Sequence, residues 1–357
     1  MNTKRYIRQT NLKEFGAEGQ QKLANASILV IGVGGLGIPV LQYLNAMGVG
    51  TIGLVEQDTV ELTNLQRQVL YAENDIGRQK LEVALEKLQA QNSGTQFKTF
   101  DTFLTRDNAL EIIAGFDVVV DASDNFPTRY LVNDACVILK KPFVYGALHG
   151  FEGQVSVFNF QGGPTYRCLF PNMPTVKEIP NCNDNGVLGV IPGIIGNLQA
   201  LEVVKLVTSI GEVLSGILLI YNGLNQSIQK INFNLNTENL SILKLQDTYG
   251  NDNCENILNL SADQLQTLIS SNTELQLIDV RTPKEYATYS LPGSKNIPLN
   301  ELEDRYKEID GILPVYVVCQ SGKRSQTAVT LLQKKMNGEF FNVSGGINSY
   351  LELFPWL

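Results

Sequence analysis

Ser27-Ile28-Leu29-Val30-Ile31-Gly32-Val33-Gly34-Gly35-Leu36-Gly37 is the stretch that decides how the first half of the chain reads. An apolar run enters glycines at G-x-G-x-x-G spacing, and Leu36, Val40, Leu41, Leu44 and Met47 then fall on one helical face. The pattern predicts a buried strand, a tight turn and a helix N-terminus. Glycine lets the backbone turn sharply and approach a ligand, while free N–H groups and the helix dipole attract phosphate. Alone, the motif says nucleotide without saying what is done to it.

Working outward, Thr51–Val55 reads as the second strand of a βαβ unit. Glu56 follows about 20 residues after the glycines, where a carboxylate can accept ribose hydroxyls, with Asp58 close behind. Thr63-Asn64-Leu65-Gln66-Arg67-Gln68 then sets amides and a guanidinium in a polar loop. Lys80 falls in the first turn of a helix carrying Leu81, Ala84, Leu85 and Leu88, a poor place for a cation unless an anion joins it. Asp117–Asp121 is another buried strand, and Asp121 and Asp124 at its carboxyl end are candidate Mg²⁺ ligands. Asp124 could instead cap the helix expected over 126–139. A nicotinamide-dependent oxidoreductase shares the glycine turn but leaves Arg67, Lys80 and Asp124 without a task.

Gly-Val-Gly-Gly-Leu-Gly, Glu-Gln-Asp, Asn-Leu-Gln-Arg-Gln, Gly-Arg-Gln-Lys and Asp-Ala-Ser-Asp-Asn stand in the order and spacing of the ThiF/MoeB/HesA family. The chain resembles these ubiquitin-activating-enzyme-like adenylyltransferases over roughly residues 4–245. The resemblance implies a Rossmann-like doubly wound α/β sheet, ATP binding, and adenylation of a carrier protein's C-terminal glycine carboxylate. It assigns Gly32, Gly34, Gly35 and Gly37 to the nucleotide turn, Glu56 to ribose, and Asn64, Arg67 and Lys80 to the phosphates. Asp58 and Gln68 lie in the same nucleotide-binding set. It gives Asp124 to Mg²⁺ with Asn125 beside it. Arg8 matches an arginine that the family inserts from the other subunit, so a homodimer is expected. Glu56 departs from the family's commoner Asp, and either carboxylate can accept hydroxyls. Carboxylate attack on the α-phosphate needs cations rather than a general base, because the nucleophile is already ionised. That suits a chain whose single histidine is His149.

The five cysteines divide by context. Family members commonly hold structural zinc with two C-x-x-C pairs. Only Cys168 and Cys254 remain of those here, with Thr165 and Ile257 at the partner positions, and two thiolates do not close a tetrahedral site. Zinc is therefore not expected. Cys182, in a polar loop before an apolar helical run, resembles the cysteine that links covalently to the carrier in sulfur-transferring relatives; the bland alternative is a spare loop thiol. Cys136 sits in an apolar helix and reads as core.

Residues 236–256 are polar and read as a linker, the linker proper spanning 246–256 between domains at 1–245 and 257–357. A second α/β pattern follows, with strands at Leu275–Val280 and Val315–Val318. Cys319-Gln320-Ser321-Gly322-Lys323-Arg324 stands at the end of the latter, before a helix expected from about Gln326 to Met336. A cysteine heading a loop of amides that closes on a helix N-terminus is a pre-built anion cradle, and Lys323 and Arg324 add charge favouring the thiolate. With Ile278–Tyr286 and Leu291–Pro298, this half resembles a rhodanese domain, a smaller α/β fold. The resemblance implies that Cys319 accepts sulfane sulfur as a persulfide. Tyr289-Ser290 replaces the usual Gly-His. A phosphatase would use the same cradle but with a longer loop before the arginine, and a module that only binds would normally have lost the cysteine.

Bulk composition agrees with this reading. A net charge of -8 without a basic run argues against a nucleic-acid binder. The sequence offers no obvious membrane span or signal segment, and an odd number of cysteines then suggests reduced thiols in the cytoplasm. Together the halves imply an ATP- and Mg²⁺-dependent adenylyltransferase and sulfurtransferase acting on a ubiquitin-like sulfur carrier of ThiS/MoaD type, in molybdopterin or thiamin biosynthesis. The sulfur donor would be a cysteine desulfurase or thiosulfate. Alternatives are a carrier-activating enzyme with a non-catalytic second module, and a scaffold that only binds the carrier.

Overall fold

The computed structural model describes residues 4–174, 186–249, 258–271, 275–310 and 313–355, excluding the side chains of Lys323 and Lys334. The chain divides into two units, Met1–Gly250 and Asn251–Leu357.

In the first unit, β1 (Ser27–Ile31) pairs in parallel with β2 (Thr51–Val55) and β4 (Val118–Asp121); β3 (Gln96–Phe100) and β5 (Phe143–His149) extend the parallel set. Beyond β5 the sheet turns antiparallel through β6 (Glu152–Phe158), β7 (Ile217–Asn222) and β8 (Ser227–Asn232). The order β3-β2-β1-β4-β5-β6-β7-β8 is that of a Rossmann-like sheet with an antiparallel extension. β1 and β4 are buried almost throughout because crossover connections cover both faces of a parallel sheet, so their sequences are runs of Ile, Leu and Val. Two hydrophobic clusters, one on each face, form the core.

The helix Val190–Thr208 is long and apolar enough to cross a membrane by composition, which corrects the expectation that no stretch is. Half of it is buried, packed on the helix Gly37–Met47 and on β5 and β6, and it buries Gln199 and Glu202 as well as Ile195 and Val203. Those are the contacts of a core helix.

The linker expectation also needs correcting at its N-terminal end. Leu245 and Tyr249 are buried in the first unit, and Tyr249 Oη donates to Asp134 Oδ2 at 2.7 Å. That bond ties this otherwise polar segment to the helix Phe126–Leu139, and Arg167 grips the same carboxylate with two hydrogen bonds of 2.7 and 2.8 Å.

The second unit is a five-stranded parallel sheet. Its strands are β9 (Leu258–Leu260), β10 (Gln276–Asp279), β11 (Ser294–Asn296), β12 (Val315–Val318) and β13 (Phe340–Val343), in the order β11-β10-β12-β13-β9. The helix after β12 starts at Lys323, earlier than expected, because Gly322 takes the left-handed conformation that turns the loop directly into it.

Candidate functional site

At the end of β1 the glycines divide by task. Gly32 lies at φ +94°, and a Cβ there would stand 2.9 Å from Ala122 O. A Cβ on Gly37 would fall 1.9 Å from Gly32 O. These two are required by the turn itself. A Cβ on Gly34 would meet only Gln68 Nε2, at 3.6 Å, and on Gly35 it would meet Pro192 and the Arg67 side chain. The N–H groups of Gly34 and Gly35 have no partner among the described residues. Gln68 is buried with its Oε1 unpartnered. Such a cradle of free N–H donors fits the phosphates of a nucleotide, whereas the orphaned Gln68 Oε1 is an acceptor and calls for a donor such as a hydroxyl.

Glu56 is nearly buried and fixed by three backbone donors: Val33 N–H at 3.0 Å, and those of Gln57 and Asp58, both at 2.9 Å. The carboxylate thus clamps the glycine turn to the end of β2. Tyr71, which sequence reasoning passed over, does the same from the other side, its hydroxyl donating to Val33 O at 2.9 Å. Burial, with Glu56 and Asp75 nearby, pushes this phenol well above its ordinary pKa, so it remains a donor.

Lys80 opens the helix Lys80–Gln91 and is buried, not exposed. Its Nζ lies 3.2 Å from Asp58 Oδ2, and its N–H donates to Asp58 O at 2.9 Å. The anion missing from the sequence argument is therefore supplied within the chain by Asp58. Asn64 is buried and accepts from Glu61 N–H, whereas Arg67 is half-buried and donates to Thr63 O at 2.9 Å.

Asp121 and Asp124 separate clearly. Asp121 is fully buried, its Oδ1 accepting from Ser123 N–H and Oγ–H at 3.0 and 2.6 Å, and burial raises its pKa. It shapes the loop rather than facing solvent, which corrects its candidacy as an Mg²⁺ ligand. Asp124 is exposed, with Asn125 Nδ2 at 3.4 Å. The cap of the helix Phe126–Leu139 is Asn125, which accepts from Thr128 N–H, and not Asp124. That leaves the Asp124 carboxylate available.

Two further residues support this end of the sheet. Arg129 is buried with its guanidinium over the Phe126 and Tyr145 rings, 5.2 and 5.6 Å from their centroids. Gln199 donates to Asp121 O at 2.8 Å and fills the space beside Gly146. Arg129 lies one helical turn past Asn125, a spacing that the sequence shows; Gln199 lay hidden in an apolar helix.

Arg8 is exposed on the helix Ile7–Thr10, and nothing among the described residues ties it to this site. Cys182 and Cys254 lie outside the described residues. Cys136 is buried, as expected of core, and burial pushes its thiol up. Cys168 accepts from Thr165 N–H and Asn236 N–H, each at 3.3 Å, and from Asn239 Nδ2 at 3.4 Å. Partial burial raises this thiol, but those donors outweigh it and bring the pKa below its ordinary value. No cluster of three or more metal-ligating side chains occurs among the described residues. His149 is exposed at the end of β5.

In the second unit Cys319 follows β12 and is buried. Gly322 N–H donates to its Sγ at 3.1 Å, and Ser325 Oγ lies 3.3 Å away. The chain's return past this loop needs Gly346, whose Cβ would stand 2.2 Å from Cys319 O. Gln320 is strung between Arg281 Nη1 at 3.2 Å and Asn348 Oδ1 at 2.6 Å, and Ser321 is exposed. Arg281 is itself buried against Asp279 and donates to Tyr289 O, so the residue that departs from the family pattern serves here through its backbone. Arg324 does not stand free beside the thiol. Its Nη1 and Nη2 form a two-pronged pair with Glu285 at 2.9 and 2.6 Å, so the charge it adds to the loop is partly compensated.

The ThiF family model matches residues 6–242, and that of the rhodanese-like domain matches residues 261–353. The adenylyltransferase and sulfurtransferase MOCS3 of Aedes aegypti is 41% identical over 355 residues, covering 92% of this chain and 81% of the relative. Among solved structures, E. coli MccB with MccA-N7isoASN superposes at a TM-score of 0.60 and 23% identity, covering 66% of this chain and 73% of that one. MccB solved with ATP gives 0.57 and 25% over 66% and 73%. The chain belongs to the ThiF family and carries a rhodanese-like domain after its ThiF domain.

Proposed function

We propose that the first unit uses ATP to adenylate the C-terminal glycine carboxylate of a small ubiquitin-like sulfur carrier, and that Cys319 of the second supplies the sulfur. The chain is an adenylyltransferase and a sulfurtransferase, like the relatives that share its two domains. The observation that carries the reading is the pairing in one chain of an N–H cradle at Gly34 and Gly35 with a thiol held by a loop N–H at Cys319.

Each residue's task follows from its chemistry. Gly34 and Gly35 donate to phosphate oxygens, Glu56 accepts from ribose, Asn64, Arg67 and Lys80 surround the phosphates, and Gln68 lies in the same nucleotide-binding set. Asp124, exposed beside its capping neighbour Asn125, would hold Mg²⁺, which neutralises charge between ATP's phosphate oxygens. The carrier's carboxylate attacks the α-phosphorus and the bond to pyrophosphate breaks. The terminal sulfur of a persulfide on Cys319 then attacks the acyl carbon and AMP leaves, giving an acyl disulfide. A second thiol attacks the Cys319 sulfur, forms a disulfide with it, and the carrier leaves as the thiocarboxylate. Cys182 is a candidate covalent relay for the carrier, and Arg8 would complete the nucleotide site of a second copy in a homodimer. The reading places the protein in the cytoplasm, in molybdopterin or thiamin synthesis, with a cysteine desulfurase or thiosulfate as donor.

Intact mass of candidate carriers, incubated with the protein, Mg-ATP and thiosulfate or a persulfide donor, tests this. Replacement of one oxygen by sulfur identifies the carrier and establishes both steps. An adenylate without that replacement retains the first step and refutes the second.

A further inference from the structure

Glu285 sits at the third position of the helix Pro283–Thr288 and closes a capping box with Thr282, whose N–H and Oγ–H reach Glu285 Oε2 at 2.9 and 2.7 Å. The cap fixes the carboxylate independently of any partner. Arg324 meets it side-on through both terminal nitrogens, and each side chain is mostly shielded from water. The guanidinium hydrogen bonds hold the Glu285 carboxyl down at about 2, so the pair stays ionised at all physiological pH. Arg324 also lies within electrostatic reach of Cys319. A sulfur donor coming to this thiol therefore meets Arg324 as one half of a compensated pair.

We infer that Glu285 is a specificity-determining residue of the sulfur site: by occupying Arg324 it disfavours a small dianionic donor and favours a persulfide of lower charge. The inference rests on the sulfurtransferase reading of Cys319. With thiosulfate, the Cys319 thiolate attacks the outer sulfur, the S–S bond breaks, and sulfite leaves with the electron pair. With a persulfide R–S–SH, the same thiolate takes the terminal sulfur and the thiolate R–S⁻ leaves. The products at Cys319 are identical, so the donors differ in the charge that must be brought to the loop.

The test measures sulfur loading of Cys319 in the full chain by intact mass, with thiosulfate and with cysteine persulfide, in the wild type, Glu285→Gln and Glu285→Gln/Arg324→Gln. Glutamine keeps an oxygen for the cap while releasing the guanidinium. The KM for thiosulfate falls about five- to tenfold in Glu285→Gln, the effect of one partly screened charge, while the cysteine persulfide KM moves less than twofold. The double variant loses the gain. An unchanged thiosulfate KM, equal changes for both donors, or a gain persisting without Arg324 overturns the inference. Failure of the wild type to load Cys319 from either donor refutes the sulfurtransferase reading beneath it.

Discussion

Lys80 Nζ stands 3.2 Å from Asp58 Oδ2, the ammonium nearly buried and the carboxylate more than half exposed. The chain thus holds in place the cation proposed to meet the phosphates, using an anion exposed enough to yield its position. Asp58→Asn leaves the ammonium without its counter-charge in the free protein. We expect a loss of about 1 kcal/mol in the stability of the free first unit, and a larger ATP-induced rise in Tm than in the wild type. Thermal unfolding with and without Mg-ATP reads both; an undiminished Tm together with an unchanged ATP shift refutes the arrangement.

The carboxylates at the end of β4 give opposite expectations. Asp124 is exposed and does not cap its helix, so Asp124→Ala leaves stability within about 0.5 kcal/mol. ATP–pyrophosphate exchange falls by about a hundredfold or more. Asp121→Ala removes a buried group that holds Ser123, and lowers Tm. Exchange that survives in Asp124→Ala shows that the metal is held elsewhere.

How much of this was legible depended on whether the deciding partner is local. β1, the turn and β2 could be read because strand period, glycine spacing and helical recurrence all lie within 30 residues and agree. The choice of Asn125 over Asp124 as cap could not, since both side chains cap well and only the chain's path into the helix selects one. The Glu285–Arg324 pair was hidden for another reason: its members are separate in sequence, and only the parallel sheet brings their elements together. Composition misled at 246–249, where one tyrosine among polar residues anchors the segment to Asp134.

Cys319→Ala separates the two activities. The thiol is the group proposed to bond to sulfur, and it lies in a unit of its own away from the glycine turn in sequence. ATP–pyrophosphate exchange is retained, whereas thiocarboxylate formation falls to the uncatalysed background. Normal thiocarboxylate yield from the variant contradicts the persulfide role.

Tyr249 tests where the first unit ends. Its hydroxyl is one of four donors to the buried Asp134 carboxylate, Arg167 supplying two and Asn133 Nδ2 one. Tyr249→Phe removes one hydrogen bond to a buried charge and costs about 1.5–3 kcal/mol. A first unit ending at residue 245 unfolds at lower temperature than one ending at 249, as differential scanning calorimetry would show. Equal transition temperatures place the boundary at 245 and make the packing of Tyr249 energetically empty.

The glycines offer the sharpest separation of fold from ligand. Gly37→Ala forces a methyl to within 1.9 Å of Gly32 O, backbone against backbone, so the turn must break and expression of folded protein suffers. Gly34→Ala meets only a side-chain amide at 3.6 Å, an ordinary contact, at a backbone conformation open to any residue. Its Tm therefore stays within a few degrees of the wild type. The new methyl nevertheless stands at the mouth of the N–H cradle, where a phosphate must come into van der Waals contact with the backbone. We expect the Kd for ATP to rise at least tenfold, read by isothermal titration calorimetry on the folded variant. Wild-type affinity in Gly34→Ala would mean that the nucleotide does not approach the backbone at this turn, and the phosphate assignment of Lys80, which rests on that approach, would fall with it.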